Sequence, residues 1–322
     1  MRKIIASAPG KIHLSGEHSV VYGQPALLAA IDKRLFVSLE PRQDRKVGIV
    51  NNELKTKRKK NSLADFGIKK IYQLLNKQPK KGFDLEIKSQ LPIGAGLGSS
   101  AALAVALTGA VFVLEKEKFD KGRINQIAYQ IEKKQHGNPS GGDNTISTYG
   151  GLLRFQKVKN KFNFKRLEIK GVLQEFLLVD SGRPEETTGE MVGKISSKIK
   201  SQNSKLQLKT KKLIRSMGKL TDKFIHLFRR ESPVQLFELI KENEKFLEKL
   251  GVVSEKAKKI INLVEKRGGA AKICGAGGIS EGSGMILAYH PEIERFEKEL
   301  MKENLPFEEV GLEEKGVKIE SN

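Results

Sequence analysis

Hydrophobic positions along the chain switch several times between a strand-like and a helix-like period. Residues 3–9 (KIIASAP) read as a short first strand, and residues 26–39 as an apolar, extended second one. The charged stretch 41–60 that follows reads as hairpin-like. From Ser62 to Leu75 the apolar residues Leu63, Phe66, Ile68, Ile71, Leu74 and Leu75 recur near helical spacing, with Ser62 placed to cap the helix. Residues 83–87 (FDLEI) alternate as a strand. A glycine-rich turn then runs straight into Ala101–Leu114, which is apolar all round and so predicts a buried helix. Another helix is expected over Gly122–Lys134, and a return to strand over Ser147–Phe155.

Phe176–Val179 is an apolar strand suited to opening a second domain. From Glu190 the pattern is helical nearly to Lys266, interrupted around Ser232-Pro233 and Gly251. Two strands, AAKIC and GMILAY, flank a further glycine turn, and a helix from Pro291 and a terminal extended piece close the chain. Short hairpins mixed with long helices predict an α+β fold and not a pure parallel sheet.

Composition narrows the class. With 322 residues, 38% apolar and 30% charged, the chain can bury a sizeable core. Lys and Arg number 59 against 38 Asp and Glu, a net charge of +21 that favours anionic partners. The excess gathers in Lys57-Arg58-Lys59-Lys60 and in Lys194–Arg230, where twelve bases face one acid, Asp222. These runs read as solvated faces: there is no Trp, no aromatic interleaving and no zinc-finger spacing, so no nucleic-acid partner is expected. A zinc site from His13, His18 and His136 fails on spacing. The single cysteine, Cys274, excludes an internal disulfide and favours a reducing, cytoplasmic location. No signal sequence is expected from the first residues, and Leu91–Leu114 has too few strongly apolar positions to span a bilayer, so no membrane association is expected.

Three clusters carry candidate chemistry. Pro92–Ala101 (PIGAGLGSSA) is a glycine elbow between a strand and a buried helix, where free N–H groups and the helix dipole make an anion site. It is neither a Walker A loop nor a dinucleotide fingerprint. Ala8–His18 sets Lys11 ahead of the pair Glu17-His18. Glu132 and the run His136–Asn144 crowd polar residues between apolar stretches, with Asp143 open to two readings, reactive acid or helix cap. With the later turn Gly275–Gly278, two glycine elbows, an acid and a lysine suit phosphoryl transfer, which is mostly positioning and charge stabilisation.

In this order, APGKIHLSGEHSVVYG, LPIGAGLGSSAALAVAL and KICGAGG resemble the motifs of the GHMP kinase superfamily. HGNPSGGDNTISTYGG and GEHSVVYGQPAL resemble its mevalonate kinase branch, whereas the second motif alone is close to that of homoserine kinases. The resemblance runs from the first residues to about residue 290 and is faint over 194–250. It implies an N-terminal domain (1–175) like the second domain of ribosomal protein S5, a ferredoxin-like C-terminal domain (176–322), and an active site in the cleft between them. It also implies ATP as co-substrate, Mg2+ as cofactor and mevalonate as acceptor at its C5 hydroxyl, the alternative being another small-molecule kinase of the superfamily, acting on phosphomevalonate or homoserine. Homodimers occur in the family.

The residue roles follow from the same resemblance. Asp143 would be the catalytic base, and Lys11 would stabilise the developing alkoxide and ionised Asp143. Ser100 and Glu132 would hold Mg2+. Pro92, Gly94, Ala95, Gly96, Leu97, Gly98, Ser99, Ser100 and Ala101 would bind the nucleotide, the amides of 94–100 wrapping the phosphates. Glu17 and His18 would meet mevalonate, with Thr188 near it; Thr188 is preferred to Thr187 because Glu190-Met191-Val192 then keeps the register. The run Ile279–Gly284 departs from the usual continuation of the third motif.

Overall fold

The structure, a computed structural model, describes residues 2–50, 62–137, 139–159, 161–168, 175–228, 233–312 and 314–321. In chain order it begins with β1 (Ile4–Ser15), β2 (Ala26–Pro41), β3 (Val47–Val50), α1 (Leu63–Leu75) and β4 (Phe83–Ser89). There follow α2 (Ser99–Leu114), α3 (Lys121–His136), α4 (Gly142–Tyr149), β5 (Leu152–Val158), β6 (Lys161–Leu167) and β7 (Phe176–Asp180). Four helices come next: α5 (Thr188–Ile199), α6 (Ser204–Leu227), α7 (Pro233–Leu250) and α8 (Glu255–Lys266). The chain closes with β8 (Ala270–Ile273), β9 (Met285–Tyr289), α9 (Ile293–Lys302), β10 (Phe307–Val310) and β11 (Lys318–Ile319). The mixture of helix and sheet is α+β, as the patterning predicts.

The first sheet is built on β2, which is long enough to serve two neighbours on one edge. Residues 35–41 pair antiparallel with β4, and residues 26–29 pair with β5, which in turn pairs with β6. The other edge of β2 pairs with β1, and β11 returns from the end of the chain to pair with β1. Strand β1 does not stop at Pro9. Its long partner carries it through Lys11 to Ser15, with register shifts between Pro9 and Lys11 and between His13 and Ser15. Lys11 therefore stands on a strand and not in a turn.

Three more readings need correction. Strand β3 lies parallel to β4 and makes no hairpin with β2, because α1 supplies the crossover that parallel strands require. Lys57–Lys60, Asn138 of the polar motif and Ser232 lie outside the described residues. Residues 147–149 belong to α4, not to a strand: the Thr145 and Thr148 hydroxyls donate back to Gly141 and Asn144, and Gly150 and Gly151, both at positive φ, delay the strand to Leu152. The long helical stretch also has an additional break near Asn203, which caps α6.

Helix α2 is buried from Ala101 to Phe112 except at Leu103, packed among β1, β2, α1, α3 and α4. Helix α1 is amphipathic and starts with a capping box between Ser62 and Asp65. The second sheet, in order β10-β7-β9-β8, is antiparallel throughout and packs Leu177, Val179, Ile273 and Ile286 with Leu247, Val264 and Phe296. Among the described residues no helix is long and apolar enough to cross a membrane.

Because Leu107 is fully enclosed on α2, Leu107→Ala should cost about 2–5 kcal/mol of stability, read from urea unfolding. A loss below about 0.5 kcal/mol would mean that α2 is not the packed centre of this half.

Candidate active site

A cavity of about 650 Å3 opens where the two sheets meet. Side-chain alternation on β1 sends Ile12 and Leu14 into the core and leaves Lys11 and His13 on the cavity side. The Lys11 ammonium, almost fully buried, lies 3.3 Å from Oδ2 of Asp143 and 3.2 Å from Nδ1 of His13. Asp143 is not the helix cap. Gly141 occupies that position, and Asp143 sits in the first turn of α4 with its carboxylate partly open to the cavity.

The two glycine elbows meet at the seam. Gly94, Gly96 and Gly98 all have positive φ, which glycine alone adopts without strain. A Cβ on Gly275 would stand 2.7 Å from the Gly96 Cα, and one on Gly98 would stand 2.8 Å from the Lys11 side chain, so both positions require glycine. Met285 N donates to Ala95 O at 3.0 Å, tying the second sheet to the first elbow. Helix α2 begins just after Gly98 with no side-chain cap, leaving its first N–H groups for a ligand. At this end the Ser100 hydroxyl donates to Glu132 Oε2 at 3.2 Å. Burial, reinforced by the nearby Asp143, pushes the Glu132 carboxyl up to about 8.

On the opposite wall, Glu17 is buried and ion-paired with Lys272, whose side chain has no exposed surface. Lys272 also donates to His13 O at 2.8 Å and Ile273 O at 2.7 Å. Asn243 donates to the second oxygen of Glu17 at 3.1 Å, so both Glu17 oxygens are engaged by protein. His18 adopts φ +57°, with Nε2 3.0 Å from Ala276 O, and burial lowers its pKa. Thr187 caps α5 through a capping box with Glu190, while Thr188 is the first residue of the helix and lines the cavity.

Of the residues singled out from the sequence, Lys11, Glu17, His18, Gly94, Gly96, Gly98, Ser99, Ser100, Glu132, Asp143 and Thr188 line this cavity. Pro92, Ala95, Leu97 and Ala101 do not. Ala95, Leu97 and Ala101 are buried, and Leu97 O accepts the Lys11 backbone N–H at 2.9 Å. The run after Gly278 folds into a tight turn. Its Ser283 hydroxyl donates to Gly278 O and its Ser280 hydroxyl to Glu186. The sequence reading passed over His13 as a partner of Lys11, Lys272, Asn243, and Arg183, which packs against Gly94. A lysine inside the apolar strand AAKIC was a legible signal. Asn243, on an amphipathic helix remote in sequence, offered none.

Residues 67–151 match the family model for the GHMP kinases N terminal domain. A mevalonate kinase of Pyrococcus abyssi is 32% identical over 304 residues, covering 86% of this chain and 87% of that one. The chain belongs to the mevalonate kinase family. A second member, from Methanocaldococcus jannaschii, is 30% identical over 93% of this chain and 95% of its own. The crystal structure of Methanococcus jannaschii mevalonate kinase superposes with a TM-score of 0.80 at 25% identity, covering 97% of this chain and 98% of that chain. The α+β arrangement of two sheets is therefore the family's fold.

Removing one partner of a buried ion pair strands the other charge. Lys272→Met should cost about 3–5 kcal/mol in urea unfolding, and Glu17→Leu added to it should recover a good part. If the double variant is no more stable than Lys272→Met, the pair does not carry this energetic role.

Proposed function

We propose that the protein transfers the γ-phosphoryl group of ATP to the C5 hydroxyl of mevalonate, giving 5-phosphomevalonate and ADP. The observation that carries this reading is the Lys11–Asp143 pair, 3.3 Å apart in the cavity beside the uncapped start of α2, in a chain of this family. Asp143 takes the proton of the acceptor hydroxyl as its oxygen bonds to the γ-phosphorus. The bond from that phosphorus to the β,γ-bridging oxygen breaks, and its electron pair leaves with ADP. Lys11, 3.3 Å from Asp143, offsets the charge that develops on the hydroxyl oxygen. The N–H groups of loop 94–100 and of the first turn of α2 receive the phosphates.

The donors at this end fit a magnesium ion. Ser100 and Glu132 place a hydroxyl and a carboxylate 3.2 Å apart, both hard oxygens, and a dication would offset the burial of the Glu132 charge. When bound, Mg2+ neutralises the phosphate charge that builds up during transfer. His18 and Thr188 form the acceptor's wall, and Glu17, held by Lys272 and Asn243, fixes the turn that presents His18. We read the cavity as the cleft between an N-terminal domain, residues 1–175 completed by β11, and a C-terminal domain from residue 176, in a protein acting in the cytoplasm.

Asp143→Asn should lower turnover by about 10²–10⁴-fold, with an unfolding temperature close to that of the unsubstituted protein. Near-normal turnover would remove Asp143 from the reaction. An ADP-release assay over mevalonate, phosphomevalonate, galactose and homoserine should give turnover with mevalonate alone. Turnover with another acceptor would overturn the substrate while keeping the reaction. EDTA should abolish the activity and excess Mg2+ restore it; activity that survives chelation would exclude the metal role of Ser100 and Glu132.

A further inference from the structure

The Lys11 ammonium has two side-chain acceptors. Asp143 Oδ2 stands 3.3 Å from it and His13 Nδ1 3.2 Å. An ammonium has only donors to offer, so this ring nitrogen is the unprotonated acceptor and the imidazole proton sits on Nε2. His13 lies two residues beyond Lys11 on β1 and therefore on the same face. Its ring is buried, and its own carbonyl accepts from the fully buried Lys272 at 2.8 Å. The backbone that carries the ring is thus anchored to the second sheet. Burial, then the positive charges of Lys11 and Lys272, hold the His13 pKa well below 6.5, which keeps the ring neutral.

We propose that His13 is a positioning residue for the phosphoryl transfer: its neutral Nδ1 accepts from Lys11 and holds the ammonium at its station beside Asp143. A lysine ends in a point charge on a flexible four-carbon stem. With His13 the ammonium is shared between two acceptors. Without it, the ammonium closes onto Asp143, the carboxylate that must receive the hydroxyl proton. The effect falls on the chemical step, because His13 acts through the Lys11 ammonium that faces Asp143.

Two variants test this through their rate constants. His13→Leu fills the site without an acceptor, whereas His13→Asn places an amide oxygen close to where Nδ1 stands. His13→Leu should lower kcat by about 10–100-fold and change KM for ATP and mevalonate by less than about threefold, and His13→Asn should recover most of kcat. Unchanged kcat in His13→Leu, a loss confined to KM, or an Asn variant no better than the Leu variant would overturn the proposal. A second measurement needs no variant to be active. In the unsubstituted protein at pH 7, 15N-histidine NMR should show His13 as a neutral ring protonated on Nε2, its resonances identified by their loss in His13→Asn. A ring protonated on Nδ1, or an imidazolium, would overturn the proposal.

The inference rests on the roles given above to Lys11 and Asp143, and the two fail differently. An unsubstituted protein that does not phosphorylate mevalonate overturns the function. One that does so, with His13 variants unimpaired, overturns only the role of His13.

Discussion

A lysine and a glutamate buried together between two sheets set the geometry of everything above them. Lys272 leaves β8 with no exposed surface and meets Glu17 at the end of β1, His13 O and Ile273 O. Taking such charges out of water costs several kcal/mol per ion, and the cost is offset only when the partners are close and the remaining protons are satisfied. Here the ammonium has three acceptors, and Glu17 has a second donor in Asn243. Asn243 also accepts from Ser15 at 3.0 Å. The first sheet, the second sheet and α7 cannot slide past one another without leaving a charge unpaired. A hydrophobic seam, being non-directional, would allow that slip.

That fixed seam lets glycine do the rest. Gly96 and Gly275, on the two elbows, approach so closely that a side chain on Gly275 would run into the Gly96 backbone, and the Ala95–Met285 hydrogen bond holds them there. The same loop ends at the start of α2, whose apolar body is buried deep in the first half. A rigid helix with an uncapped N-terminus is thereby aimed at a cavity floored by Lys11 and Asp143. Ser100 and Glu132 complete the polar end. Four ionisable groups, Lys11, His13, Glu132 and Asp143, share this small volume. The arrangement is tolerable because one of them, His13, is held neutral by burial and then by the charges of Lys11 and Lys272, and another, Glu132, is pushed towards the neutral acid by burial.

Much of this was legible along the chain. Helix α1 and its Ser62 cap, the buried α2, and strands β4, β7, β8 and β9 follow from local periodicity and capping chemistry. Eleven of the residues picked for the site line one cavity because motif residues cluster where backbone turns are tight, and tight turns are written in glycine. The errors have two causes. Strand β1 outran its hydrophobic pattern because β2 offered it a partner, and strand β3 took a parallel neighbour because α1 carried the chain across; both depend on pairing outside the local window. Residues 147–149 stayed helical for a local reason, the threonine hydroxyls bonding back one turn and Gly150 delaying the strand.

The sequence by itself determined the family and the α+β class, and it singled out the glycine elbow together with Lys11, Asp143, Ser100 and Glu132, which share one cavity. These rest on residue type and short spacing, which survive without coordinates. Only the tertiary structure decided that His13 accepts from Lys11, that Glu17 is occupied by Lys272 and Asn243, and that Asp143 is not the cap of its helix. It also decided that Ala95, Leu97 and Ala101 serve the core although they sit inside the glycine elbow. The physical reason is that a hydrogen bond or a buried charge is defined by distance and angle to a partner. The partners of Glu17, for example, lie 226 and 255 residues away along the chain.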